Sequence, residues 1–255
     1  MSILGTRVLR SEDPRFLTDG GNYIESIDLP GAAHVVYVQS TVAHGRITSI
    51  DTTDAARMPG VIGVFTAADV DLAPQDRPNR RVPEPMARPL LATDTVRFVG
   101  ELIGAVVAET RTQAVDAAEM VVVDIDPLPA VVDTEVALRN EALLYPDAET
   151  NTAFVFPSRA GDDFFDGCEV VIEQRIVNQR VAPCPLEVRA AAARWGPDGR
   201  LTQWACTQGP HGTRNDLAKV LGLERDQVRV ITPDVGGGFG AKFGAYPEEV
   251  LVPWL

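Results

Sequence analysis

The chain has 255 residues, 45% of them hydrophobic, enough to bury the core of one large or two modest domains. Its 36 acidic residues against 23 basic ones leave a net charge of -13, which repels phosphate backbones and anionic lipid and argues against a nucleic-acid partner. No run approaches the ~18 apolar residues that a bilayer-spanning helix needs. The opening MSILGTRVLRSEDPRF lacks the apolar stretch of a signal peptide, so the sequence predicts a cytoplasmic protein without membrane insertion.

The predicted elements begin with a lead-in of turns over 1–31, carrying DPRF, TDGGNY and LPG. Strands follow over His34–Ser40, Arg46–Asp51 and Val61–Thr66, where β-branched residues cluster or alternate, with room only for a short helix at Thr53–Met58. Residues 71–93 are dense in proline (Pro74, Pro78, Pro83, Pro85, Pro89), which forbids regular structure and predicts a long surface excursion. A β-α-β stretch comes next: RFVGELIGAVVAE as strand, a helix over Thr112–Met120 with Ala114, Val115 and Ala118 inward, and VVVDID as strand. A short helix ends DPLPAVVDTEVAL, and 139–151 reads as an acidic, proline-containing linker.

The remainder is β-rich at first. Strands are expected over Cys168–Val177, Arg189–Trp195 and Leu201–Cys206, the last two joined as a hairpin by the Pro-Asp-Gly turn of GPDGR. Pro210 suits a first helical turn, and a helix over about 211–221 presents Leu217, Val220 and Leu221 before Gly222 closes it. A strand over Gln227–Ile231 then runs into VGGGFGAKFG, and a last helix opens at Pro247.

Chemistry concentrates at Gly236–Gly240, GGGFG. Four glycines in five residues cost order; their use is to bring backbone N–H groups up to something that side chains would block, commonly an anionic or oxo group, the plainer reading being a flexible turn. Phe239 argues against mere slack, because an aromatic ring asks for a place to pack. The P-loop pattern fails, with Ala241 in place of its second glycine and Phe243 in place of its hydroxyl, while Gly236, Gly238 and Ala241 fit the dinucleotide pattern GxGxxA incompletely. The cysteines Cys168, Cys184 and Cys206 form neither a disulfide framework nor a CxxC clip, and Cys184 and Cys206 read as buried thiols. His34, His44 and His211 cannot build a zinc site by themselves, so any metal would be carried by something other than these side chains.

Taken together, RSEDPRFLTDGGNYIESIDLPG, VRFVGELIGAVVAE, PLEVRAAAARW, CTQGPH and DVGGGFGAKFGAYPEEV occur in an order that resembles the large, molybdenum-binding subunits of the xanthine dehydrogenase, aldehyde oxidase and carbon monoxide dehydrogenase family. The resemblance implies an α+β fold: an N-terminal lead-in (1–19), an α/β hammerhead domain (20–138), a linker (139–151) and the first part of a molybdopterin-binding domain (152–255). It implies that Gln208 donates to the oxo ligand of molybdenum and that the Gly238–Phe239 step offers it a backbone N–H, with Gly237 and Gly240 completing a cofactor-binding set that ligates no metal directly. A neutral amide and a backbone N–H stabilise negative charge without a proton to lose. The plainer reading of Gln208 is a cap for the helix after Pro210.

The same resemblance implies oxidation of CO, an aldehyde or an N-heterocycle with water as oxygen source. The cofactor would be molybdopterin in its cytosine dinucleotide form. Because Met1 lies just ahead of the hammerhead, the iron–sulfur and flavin groups are expected on partners, a small subunit with 2Fe-2S clusters and a medium FAD subunit, in a dimer of heterotrimers. The general-base glutamate of the family is expected beyond Leu255, so no catalytic residue is assigned within the chain and the chain alone is expected to be inactive. Glu248 and Glu249 match the family's PEE, where acids favour a helix N-terminus. Glu187 and Arg189 match its Glu-x-Arg, with Val188 departing from the usual proline, and read as structural ion-pair residues, as does Lys242; His211 is at most an indirect contact. Two other readings stay open: a non-catalytic fragment that folds and binds subunits, and a dinucleotide-binding α/β protein.

Overall fold

The computed structural model describes residues 4–157, 161 and 163–255, so Met1 of the expected lead-in lies outside the described residues. Packing divides the chain into two compact units, one formed by the stretch up to Val35 together with Pro183–Leu255, the other by Val36–Ala182.

In the first unit the lead-in is more regular than its turn signals suggest. DPRFLT winds into a short helix α1 (Asp13–Thr18), started by Pro14 in its first turn, and a single 3-10 turn follows at Ile24–Ser26.

The second unit holds two three-stranded sheets. Strand β1 (His34–Gln39) starts at its border, followed by β2 (Gly45–Asp51), β3 (Val61–Thr66), β4 (Thr95–Val96) and β5 (Leu102–Ala108). Helix α2 (Arg111–Glu119) and strand β6 (Val122–Pro127) complete it, with α3 (Thr134–Leu138) after them. The sheet orders are β1-β5-β3 and β4-β2-β6. Every residue of β5 is buried, which explains its unbroken apolar run. Ala92, Val96 and Ile103 form the centre of a core packed by Val42, Ile47, Ile50, Val123 and Ile125.

Four expectations need correction here. The strands flanking α2 do not share a sheet: β5 pairs antiparallel with β3, and β6 antiparallel with β2, so α2 bridges two sheets rather than closing a parallel β-α-β unit. The buried side of α2 is Ala114 and Ala117, whereas Val115 is exposed, one residue round the helix from its expected place. The proline-dense segment is no free excursion, since Val82, Leu90, Leu91 and Ala92 are buried and Arg77 Nη1 donates to the Val82 carbonyl at 2.6 Å. Finally, Cys168–Val177 forms no strand: the chain there is irregular and exposed, because β propensity makes a strand only where a partner ladder exists.

The first unit continues with β7 (Ala191–Trp195), β8 (Leu201–Ala205), α4 (Pro210–Val220), β9 (Val228–Ile231) and α5 (Pro247–Leu251). The hairpin closes as its turn chemistry requires, with Gly199 at φ +74° and the Gly196 N–H donating to the Arg200 carbonyl at 2.8 Å. Gly222 ends α4 at φ +66°, the left-handed cap its position predicts. In the sheet, order β7-β8-β9, β8 runs antiparallel to β7 and parallel to β9, with α4 as the crossover.

Candidate cofactor site

Parallel pairing of β8 and β9 sends both strands out at the same edge, where open α/β sheets place their ligands. Two loops therefore leave side by side: Cys206–Gly209 after β8 and the glycine run after β9. They are stitched at one carbonyl, that of Lys242, which accepts the Gln208 N–H at 2.8 Å and the Thr207 hydroxyl at 3.3 Å. The Thr207 hydroxyl also lies 3.0 Å from that of Thr213 in α4 and accepts the Gly209 N–H at 3.1 Å.

Gln208 lies against the glycine run. Its Oε1 accepts the Gly240 N–H at 3.1 Å and the Lys242 N–H at 3.4 Å. That engages the acceptor end of the carboxamide and leaves the NH₂ end as a donor. A Cβ on Gly238 would stand 2.5 Å from Gln208 Cδ, so glycine is what admits the amide. Gln208 does not cap α4, whose N-cap is Gly209 without a side-chain bond. Beside it, the N–H groups of Gly237, Gly238 and Phe239 have no acceptor among the described residues. Phe239 itself adopts φ +49°, a left-handed conformation costly for a side chain with a Cβ. Contrary to expectation its ring is not packed away but 76% exposed. The run leads into turns, and the next helix starts only at Pro247, so it does not open a helix as a dinucleotide fingerprint must.

Behind the loop lies an arrangement that the sequence signals only as Lys242 being an ion-pair residue. Lys242 is 1% exposed, and its Nζ sits 2.7 Å from Glu187 Oε2. The same oxygen accepts the Gly236 N–H at 2.8 Å, while the other, Oε1, is buried without a partner among the described residues. A Cβ on Gly236 would meet Glu187 Cβ at 2.5 Å. Arg189 pairs instead with Glu248 at 2.8 Å and stacks over the Tyr246 ring at 4.0 Å, so the Glu-x-Arg block serves two different ion pairs.

Burial pushes the Glu249 carboxyl up to about 7, against the lowering effect of the Tyr246 N–H that it accepts at 2.9 Å. Asp234, two residues before the glycine run, is held down at about 2 by the Arg15 fork and the Asn22 N–H. Cys206 is buried and its thiol raised by that burial, but Cys184 is exposed, correcting its expected place: it lies in the irregular segment ahead of β7, not in the sheet. His211 is exposed in the first turn of α4.

The donor set suits an electronegative group that approaches the backbone closely. It comprises a carboxamide NH₂, three unengaged backbone N–H groups and glycines that give close access. No helix among the described residues is long and apolar enough to cross a membrane.

Comparison with known proteins agrees along the whole chain. Residues 18–129 match the a/b hammerhead domain of aldehyde oxidase and xanthine dehydrogenase, and residues 144–255 match the molybdopterin cofactor-binding domain. The chain is 37% identical to the large subunit of nicotine 6-hydroxylase from Paenarthrobacter nicotinovorans, over 99% of this chain and 32% of that one. It is 35% identical to the carbon monoxide dehydrogenase large chain of Hydrogenophaga pseudoflava, over 96% of this chain and 32% of that one. The crystal structure of quinoline 2-oxidoreductase from Pseudomonas putida 86 superposes with a TM-score of 0.86 at 38% identity, covering 98% of this chain and 33% of that one. The chain thus spans about a third of the length of these relatives. With its hammerhead sequence followed by cofactor-binding sequence, α+β throughout, the chain belongs to the family of molybdenum hydroxylase large subunits.

Proposed function

We propose that this chain forms part of the cofactor cradle of a molybdenum-dependent oxidoreductase that oxidises CO, an aldehyde or an N-heterocycle, with 20–138 as hammerhead, 139–151 as linker and 152–255 as the start of the cradle. One observation carries the reading: Gln208 is locked by its Oε1 onto the Gly240 N–H and lies against Gly238, in a run whose Gly237, Gly238 and Phe239 N–H groups are unengaged among the described residues. When bound there, molybdopterin supplies two-electron redox chemistry with water as the oxygen source. Gln208 and the Phe239 N–H would hold and polarise it as fixed dipoles, which need no reorganisation during reaction. Gly237, Gly238 and Gly240 keep the approach clear of side chains. General-base catalysis is assigned to no residue of the chain, and its substrate, like its turnover, belongs to a longer protein. The relatives' names support a multi-subunit setting: one is a "large subunit" and another a "subunit gamma" of a dehydrogenase complex. The reading includes small 2Fe-2S and medium FAD subunits, a dimer of heterotrimers, the cytosine dinucleotide form of the cofactor and a cytoplasmic location.

The test is a full-length subunit carrying Gln208→Ala. Folding and molybdenum content should match the parent while turnover falls. Unchanged turnover at full molybdenum loading overturns the assignment, and the nucleotide released on denaturation identifies the dinucleotide.

A further inference from the structure

One face of the β7-β8-β9 sheet is used by the core: Leu201, Gln203 and Ala205 are buried while Thr202 and Trp204 point to the other side. On that other side the register aligns Arg194 with Thr202 and Thr202 with Arg229, one row across three strands. With strands ~4.8 Å apart, the two arginines flank the threonine at a separation of about 10 Å between backbones. Arg200 enters from the hairpin end, and together with Gly196 and Asp198 these residues line a hollow of about 140 Å³.

The charge balance of this hollow is unusual for a chain of net charge -13. Three arginines line it against one carboxylate, and Asp198 Oδ1 already accepts the Arg200 backbone N–H at 3.2 Å. Arg194 lies over the Trp204 ring at 5.8 Å, and none of the three arginines is in a salt bridge with a described residue. Like charges held this close on one sheet face are destabilising until a counter-charge joins them. Planar forks with a hydroxyl between them match a multiply charged tetrahedral anion, which can accept several N–H and O–H bonds at once.

We propose that the Arg194–Thr202–Arg229 row, closed by Arg200, is a binding site for one phosphate group, either free phosphate or the monoester of a small nucleotide. Each fork donates to a different phosphate oxygen and Thr202 donates to a third. The site uses none of Gln208, Gly238 or Phe239, so it stands or falls apart from the cofactor reading.

Titration of the 255-residue chain with inorganic phosphate, followed by calorimetry and by its thermal midpoint, tests this. Phosphate stabilises most proteins weakly by exclusion from their surface, so the comparison that decides is with variants. Saturable binding is expected, weakened about tenfold or more in Arg229→Ala and lost in the Arg194→Ala, Arg229→Ala double variant. All three groups are exposed, so both variants should keep the parent's circular dichroism. Thr202→Val, which removes only the hydroxyl, should weaken binding without loss. Tighter binding of adenosine monophosphate than of phosphate identifies a monoester as the source, and the reverse identifies the free ion. A non-saturating response, or one of equal size in the double variant, overturns the proposal.

Discussion

Lys242 Nζ and the Gly236 N–H converge on the same oxygen, Glu187 Oε2, at 2.7 and 2.8 Å, so one carboxylate ties a buried ammonium to the first residue of the glycine run. The pair sets where the loop begins, and the Lys242 carbonyl, bonded to Gln208 N, sets where it returns. Both ends of the loop are thereby fixed by a single lysine. Replacing Lys242 with Met leaves the Glu187 charge buried without its partner and should cost about 3 to 5 kcal/mol. Adding Glu187→Gln to that variant should recover part of the loss. Denaturant midpoints of the single and double variants measure both effects.

Neighbouring glycines should respond differently to the same substitution. At Gly236 a new Cβ meets Glu187 Cβ at 2.5 Å and its backbone N at 3.3 Å, atoms that cannot yield, so Gly236→Ala should destabilise by about 1 to 3 kcal/mol. At Gly238 the obstacle is the end of the Gln208 side chain, which can swing away. Gly238→Ala should leave stability nearly unchanged while the Gly240 and Lys242 amides, freed from Gln208 Oε1, exchange hydrogen faster. Gly209→Ala, where an added Cβ meets nothing within 4 Å, is the control.

Phe239 inverts the usual ranking of glycine and alanine. Its φ of +49° penalises any residue with a Cβ, and its exposed ring contributes little burial. Phe239→Gly should therefore be more stable than Phe239→Ala by up to about 1 kcal/mol, the left-handed cost exceeding the extra chain entropy of glycine. Thermal midpoints of the two variants decide it.

The Glu249 carboxyl binds its proton more tightly in the folded chain, near 7, than in the unfolded chain, near 4.5. Between those values the native state holds more protons, so its contribution to stability is greatest below about 4.5, falls as pH rises, and levels off above 7. Glu249→Gln keeps an acceptor for the Tyr246 N–H and should flatten stability across this window, with the variant gaining most at pH 8. The gain should be of order 3 kcal/mol, read from denaturant unfolding at pH 5 and pH 8.

Asp234 behaves in the opposite sense. Its depressed pKa means that the fork from Arg15, at 2.7 and 2.8 Å, contributes fully above about 4 and is lost as pH falls towards 2. Asp234→Asn should release α1 from the strand exit at neutral pH, seen as faster proteolysis within the first 20 residues, an effect the parent should show only in acid.

How much of this was legible depended on how local each signal is. The Pro-Asp-Gly hairpin, the Gly222 cap and the Pro210 start of α4 are settled by residues within a few positions, and they stand where the sequence puts them. The contact between Gln208 and the glycine run follows from no local rule; only the family resemblance pointed to both residues. Which sheet receives β5 and which receives β6 depends on partners far upstream that periodicity does not encode. The Glu187–Lys242 pair joins positions 55 apart, and composition could show only that a lysine beside the loop would need an acid. At Cys168–Val177 the pattern was right for a strand, yet a pattern cannot supply the neighbour that completes it.

That last segment has a practical side. Val170, Val171, Ile172, Ile176, Val177 and Val181 are all more than half exposed along an irregular stretch of backbone. Such a ribbon is open to self-templated stacking between copies. Concentrated preparations of the 255-residue chain should therefore clump through it first, and charged substitutions at Ile172 and Ile176 should keep the protein in solution.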